Sequence, residues 1–279
     1  MHGLGDEAGA ALSGHPGVDL LTFTGSVGTG RAVAAAAAAT VTPCVLELGG
    51  KSPVVVFADA DLDEAADGLA RGFVEAAGQS CDLPSLAVVH ADVHDAFVRR
   101  VVERAAAFTI GPGTGDPDVG PLISAAQRDR VERYVAEATA EGALIATGGG
   151  RPRTRETAAG WFVEPTVLTG VDPAMPVARE EVFGPVLAVV PFSTEREAVT
   201  IANASGYGLS GFVWTRDTGR GLRMTRDIRA GQVHLNCFGP GDPVMTPFGG
   251  FGLSGFGREK GFEALRTYTQ TKNICLAVG

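Results

Sequence analysis

Residues 18–50 read VDLLTFTGSVGTGRAVAAAAAATVTPCVLELGG, and the order of elements within them decides the fold. VDLLTFTG, 18–25, has the apolar, β-branched character of a strand and stops at a glycine. Ser26 stands as the N-cap of SVGTGRAVAAAAAAT, 26–40, which its alanines make a helix. VTPCVLELGG, 41–50, is a second strand closed by paired glycines. Strand, helix and strand within this length predict a parallel βαβ unit.

The alternation continues outward. GDEAGAALSG, 5–14, reads as a helix. Downstream, strands are expected at 52–58, 86–91, 161–170, 186–192, 211–215 and 232–237. Helices are expected at 59–78, 92–108, 123–142 and 194–205, the first with acids in its opening turn, where the helix dipole favours them. Gly- and Pro-rich loops separate them at 111–121, 148–160 and 239–257, and TYTQTKNICLAV, 267–278, reads as a final strand. The fold class is α/β, with no internal repeat.

The chain has 279 residues, a formal charge of −9 and no Lys/Arg block, so nucleic acid is excluded as a partner by the lack of a phosphate-neutralising surface. The only alanine-rich apolar run, 32–39, is too short to span a bilayer, which argues against a membrane partner. The N-terminus lacks the basic start and apolar stretch of a secretory signal. The 39 glycines follow no collagen period and read as turns and close approaches. Cys44, Cys81, Cys237 and Cys275 are widely spaced, which argues against a disulfide scaffold or a metal site and for a cytoplasmic setting.

Two constellations carry chemistry. The turn Gly25-Ser26-Val27-Gly28-Thr29-Gly30 opens a helix, where backbone N–H groups can hold an anion. It is neither GxGxxG nor a P-loop, and an ordinary βα turn is the commoner reading of the segment alone. Cys81 follows a helix in Gly78-Gln79-Ser80-Cys81, and Glu47 ends a strand before Gly49-Gly50-Lys51. A thiolate attacks carbonyl carbon, and a carboxylate near it activates water. Each has a plain alternative, a buried small hydrophobe for the thiol and a solvated or Lys51-paired acid for the carboxylate.

LELGGKSP (46–53) and FVEAAGQSC (73–81) resemble the two active-site signatures of the aldehyde dehydrogenase superfamily, in its hydrolytic, NAD(P)-dependent branch. FTGSVGTGR, VVVFADADLDEA, GPLIS, EPTVL, REEVFGPVLAVVPF, NASGYGLSGFVWTRD and PFGGFGLSGFGRE match that family in the same order, over essentially the whole chain. The resemblance implies oxidation of a small aldehyde to a carboxylic acid with NAD or NADP, through a thiohemiacetal and thioester on Cys81, with Glu47 as the base. It implies Gly25, Ser26 and Thr29 under the pyrophosphate, Gly5 and Gly9 by the adenosine, Leu48 and Gly49 by the nicotinamide, and Glu181 and Phe183 at its ribose. Cys237, Phe238 and Phe248 are expected along the substrate tunnel.

By the same resemblance, residues 1–49 are the remnant of an NAD(P)-binding, Rossmann-like domain, 50–250 the catalytic domain, and 251–279 a return to the cofactor domain ending in an oligomerisation strand. The family chain is nearly twice as long, so an N-terminal truncation is expected, without the oxyanion Asn, the ribose Lys and the subunit-bridging hairpin. A homodimer or homotetramer follows from the family. A non-catalytic remnant that pairs with a full-length relative is the alternative. Departures from the family pattern are Leu83 and Leu86, where an alanine and an arginine are usual, Pro84 behind the nucleophile, and the loss of a lysine at Gly252.

Overall fold

The computed structural model describes residues 2–239 and 244–279. A short π-helical turn, Gly5–Gly9, runs into α1 (Ala10–Ser13). Then follow β1 (Leu21–Thr24), α2 (Val27–Ala38), β2 (Cys44–Glu47), β3 (Ser52–Val56), α3 (Leu62–Val74), β4 (Pro84–His90) and α4 (His94–Ala107). Next come α5 (Ala125–Ala140), β5 (Leu144–Thr147), β6 (Thr166–Thr169), α6 (Pro176–Arg179), β7 (Val186–Phe192) and α7 (Glu195–Ala202). The chain closes with β8 (Ser210–Trp214), α8 (Thr218–Asp227), β9 (Gln232–Leu235), β10 (Gly255–Phe256) and α9 (Gly261–Thr267).

Two sheets result. β1, β2 and β10 form a small one, with β1 and β2 parallel, as the sequence around the first helix implies, and β10 antiparallel to β2. The second has the order β5-β6-β7-β4-β3-β8-β9 and is parallel except for β5. Its central strands are Val54-Val55-Val56, Leu86–Val89 and Val186–Val190, all buried. Such near-continuous apolar runs belong to strands covered on both faces. The connection β3–α3–β4 steps one way across the sheet and β7–α7–β8 the other. Right-handed crossovers therefore put α3 and α7 on opposite faces.

This topology gathers loops. β3, β4 and β7 are parallel neighbours, so the segments entering them converge at one end of the sheet. These are Gly49–Lys51, Gln79–Leu83 and Glu181–Pro185. Four residues separate β2 from β3 as the chain passes from the small sheet to the large one, which leaves Glu47 over the same end.

Several elements differ from the sequence reading. Only 166–169 of the expected strand 161–170 pairs. β5, α8 and α9 lie where no element is expected, and β10 lies inside an expected loop. Residues 268–279 form no strand: Ile274, Leu276 and Val278 alternate as a strand would, yet are at least 80% exposed. A strand exists only with a hydrogen-bonding neighbour, and none meets this segment among the described residues. No helix among them is long and apolar enough to cross a membrane.

The expected helix 59–78 stops at Val74, and Ala76, Ala77 and Gly78 turn left-handed at φ 49°, 58° and 72°. That turn swings the chain back to β4. Gly78 abuts the Gly184 carbonyl, which a Cβ would meet at 2.3 Å, and Ala77 is buried, but Ala76 is exposed. Ala76→Gly is therefore expected to stabilise the protein by about 0.5–1 kcal/mol, the left-handed penalty less glycine's extra unfolded-state freedom. A higher urea midpoint at unchanged slope would show it; a lower midpoint would mean the turn is not strained.

Candidate active site

A cleft of about 430 Å³ opens where the converging loops meet the small sheet. That is the size of an ordinary small-molecule site. Its lining includes Gly25 and Ser26 from the mouth of α2, Glu47, Leu48 and Gly49 from the end of β2, Ser80 and Cys81 from the β4 approach, and Glu181 and Phe183 from the β7 approach.

Glycine decides how close these segments come. A Cβ on Gly50 would stand 2.0 Å from the Cys81 carbonyl oxygen, so only glycine lets the two loops touch. Ser254, fully buried, pins the strip from the other side: its Oγ donates to the Gly49 carbonyl (2.7 Å) and accepts from the Gly208 N–H (3.0 Å), and its carbonyl accepts from the Leu48 N–H (3.0 Å).

The Glu47 carboxylate is buried, and neither oxygen has a hydrogen-bond partner among the described residues. Burial pushes its pKa up to about 8, the Glu259 charge adds to this, and Arg258 and Lys260 oppose it. Cys81 is half-buried and free. Burial first, then the Asp82, Glu181 and Glu47 charges, push its thiol up to about 11. The cleft thus holds a buried carboxyl and a free thiol among other acidic groups, where a cationic group seated beside Cys81 would stabilise the thiolate.

Helix α5 holds one wall, a role the sequence does not reveal. Gln127 Nε2 donates to the Val182 and Phe183 carbonyls (3.1 and 2.7 Å), and an Arg130 Nη donates to the Glu181 carbonyl (2.6 Å). The Tyr134 hydroxyl donates to Glu180 (2.6 Å). Spaced i, i+3 and i+7, these side chains share one helix face. They lock a loop in which Phe183 adopts a left-handed φ of 60°, a conformation that survives only when its surroundings over-determine it. The i+3, i+7 spacing of polar residues on α5 is the only sequence signal, and an exposed helix face gives the same pattern.

The expected cofactor residues fall on two neighbouring clefts. Gly25, Ser26, Leu48, Gly49, Glu181 and Phe183 line the first. Gly5, Gly9 and Thr29 line a second, of about 580 Å³, across the first turn of α2. Ser26 caps that helix by accepting from the Thr29 N–H (3.2 Å). A Cβ on Gly5 or Gly9 would enter open space. Open glycine surfaces, an exposed N-terminus on a twelve-residue helix and an acidic pocket beside Cys81 suit a dinucleotide with a phosphate in its middle and a cationic ring at one end.

The expected tunnel residues are Cys237, Phe238 and Phe248. Phe238 packs against Phe212 and Trp214, with ring centroids 4.8 and 5.6 Å away, and covers Gly68 and Gly72. Cys237 is exposed beside it. Phe248 bridges Glu259 and carries Lys260 Nζ 4.7 Å from its ring centroid. None of the three lines the first cleft.

A family profile described as "Aldehyde dehydrogenase family" matches residues 1–274. A 3,6-anhydro-alpha-L-galactose dehydrogenase of Streptomyces coelicolor is 43% identical over 273 residues, which are 98% of this chain and 55% of that protein. A betaine aldehyde dehydrogenase of Brucella ovis is 43% identical over 280 residues, 100% of this chain and 57% of the relative. The crystal structure of a betaine aldehyde dehydrogenase from Staphylococcus aureus in complex with NAD+ superposes with a TM-score of 0.93 at 42% identity, over 96% of this chain and 53% of that one. The chain spans about half the length of the curated relatives it matches.

Proposed function

The chain belongs to the aldehyde dehydrogenase family, and from that premise we propose that it oxidises an aldehyde to a carboxylic acid with NAD+, using Cys81 as nucleophile and Glu47 as general base. The observation that carries this reading is a buried, unpartnered carboxylate sharing one cleft with a free thiol.

The Cys81 sulfur, once its proton is removed, adds to the aldehyde carbon, and the carbonyl oxygen takes up a proton to give a thiohemiacetal. The nicotinamide would supply the oxidant when bound: loss of hydride from that carbon, together with loss of the hydroxyl proton to solvent, would leave a thioester on Cys81. Glu47 then takes a proton from water as its oxygen attacks the thioester carbon. The carbon–sulfur bond breaks, the acid departs, and the Cys81 thiol is restored. Gly25 and Ser26 would hold the pyrophosphate, with Gly5, Gly9 and Thr29 on the adenosine side. Leu48, Gly49, Glu181 and Phe183 would hold the nicotinamide end.

NAD+ is preferred over NADP+ because the solved relative holds it. Identical rates with the two cofactors would overturn that preference. We also propose the division 1–49, 50–250 and 251–279, supported by β2 and β3 lying in different sheets and by β10 pairing back onto β2. The exposed alternation Ile274, Leu276, Val278 supports its use as a strand between subunits of a homodimer or homotetramer.

The test is NADH formation by the purified chain with a panel of short aldehydes, together with its thermal midpoint with and without NAD+. A ligand of the folded state raises the midpoint. A second reading, a chain that works only when paired with a full-length relative, is favoured by the open outer edge of β1 and by exposed Phe262 and Leu265. Activity that appears only after a relative is added would select it.

The pH dependence follows from Glu47. Its carboxyl stays protonated up to about pH 8, and only the ionised form is a base. The rate of thioester hydrolysis is therefore expected to rise with pH and level off above about 8, falling roughly tenfold per pH unit below it. A flat profile through that range would remove Glu47 from the limiting step.

A further inference from the structure

The residue that follows the free thiol is an acid, Asp82. Across a trans peptide the Cα atoms of neighbouring residues stand about 3.8 Å apart. The Asp82 carboxylate is half-buried and has a fixed orientation, because the Ser80 hydroxyl donates to its Oδ1 at 2.8 Å. Ser80 and Cys81 both line the cleft. A hydrogen bond from one lining residue and a peptide bond to the other therefore hold this charge beside the nucleophile.

Little nearby offsets it. Asp82 forms no ion pair among the described residues. The imidazole on which its charge acts is His234, stacked on Phe212 with ring centroids 5.0 Å apart, and burial lowers that pKa, so the ring is neutral at neutral pH. The other charged groups lining the cleft are Glu47, Glu181 and Arg130. Burial keeps Glu47 protonated up to about pH 8. Glu181 accepts from the Gly50 N–H at 3.0 Å, and Arg130 is held at the Glu181 and Val182 carbonyls. An aldehyde must bring its carbonyl carbon to the Cys81 sulfur. A charge a few bonds along that aldehyde then lies within the screening length, about 8 Å at physiological ionic strength, of the Asp82 carboxylate.

We propose that Asp82 is a specificity-determining residue: its carboxylate, one residue from the nucleophile and oriented by Ser80, makes the cleft reject aldehydes that carry an anionic group near the carbonyl. The substrate class is then a neutral or cationic aldehyde. The proposal deepens the aldehyde reading and rests on it. A like charge set against the wrong substrate selects between molecules of one shape without any new attractive contact.

Asp82→Asn removes the charge and keeps the shape. Succinic semialdehyde and its primary amide differ in the same way, a carboxylate against a neutral group of equal size. The wild-type chain is expected to favour the amide in kcat/KM, and Asp82→Asn to shrink that preference about tenfold. An equal preference in the two chains overturns the proposal. A second measurement needs neither NAD+ nor turnover. Two methanethiosulfonates, one bearing a trimethylammonium group and one a sulfonate, each form a mixed disulfide with a thiolate and release methanesulfinate. Both attack the same sulfur, so the ratio of their rates at the Cys81 peptide, followed by mass spectrometry, is independent of how much thiolate is present. That ratio is expected to favour the cationic reagent about tenfold more in wild type than in Asp82→Asn. A ratio that does not move overturns the proposal, and so does one that moves while the aldehyde preference stays. Should Asp82→Asn not fold, Asp82→Thr, also neutral, is read against the same outcomes. If the wild-type chain oxidises no aldehyde at all, the aldehyde reading fails by itself, and the reagent ratio still decides whether Asp82 selects by charge at Cys81.

Discussion

Serine in place of Cys81 is expected to lower kcat/KM for aldehyde oxidation by at least about 10³-fold, with the fold intact. The loss is chemical. A hydroxyl is a far weaker nucleophile than a thiol at neutral pH, and this cleft holds even the thiol protonated: burial raises it first, and the Asp82, Glu181 and Glu47 charges add to that. The tight contact with Gly50 is made by the Cys81 backbone carbonyl, which the substitution leaves in place. Steady-state NADH formation and the thermal midpoint separate the two effects. Residual turnover within tenfold of wild type would move the nucleophile elsewhere.

Glutamine in place of Glu47 is expected to stop the second half of the reaction and spare the first. Losing a positioned base costs roughly 10²–10⁴ in the step it serves. Thioester hydrolysis then limits turnover, and rapid mixing is expected to show one NADH per active site followed by near silence. Stability should not fall. Burial holds the carboxyl at about 8 in the fold, against 4.5 for an ordinary glutamate. Its folded form therefore favours the proton, and stability drains as pH rises from the unfolded value through about 8. A neutral amide of the same shape escapes that loss. A burst abolished along with turnover would place Glu47 before hydride loss, as the base that deprotonates Cys81.

Much of this was legible in the sequence because it is local. The Val54–Val56 run, the cap at Ser26 and the alternation from 18 to 58 each depend on neighbours along the chain. Cys81 and Glu47 stand out only through the strings around them, since either residue alone reads equally well as core or surface. What escaped is set by partners far away. Gln127, Arg130 and Tyr134 become a clamp only when α5 presents that face to residues 180–183. Phe238 lies over Gly68 and Gly72 on α3, a contact that no neighbour along the chain reveals. The tail carries a strand's alternation and has no edge to join among the described residues. Ala76 and Ala77 read as helix by propensity, yet the chain must reverse there to enter β4 beside β3.

The covalent step is the centre of the account, and mass spectrometry of the Glu47→Gln chain tests it most directly. After mixing with NAD+ and a short aldehyde, the peptide containing Cys81 is predicted to gain the mass of one acyl group, and to gain none when NAD+ is left out. An unmodified Cys81, or an acyl group on another residue, would contradict the assignment of this cleft as the place where the aldehyde is oxidised.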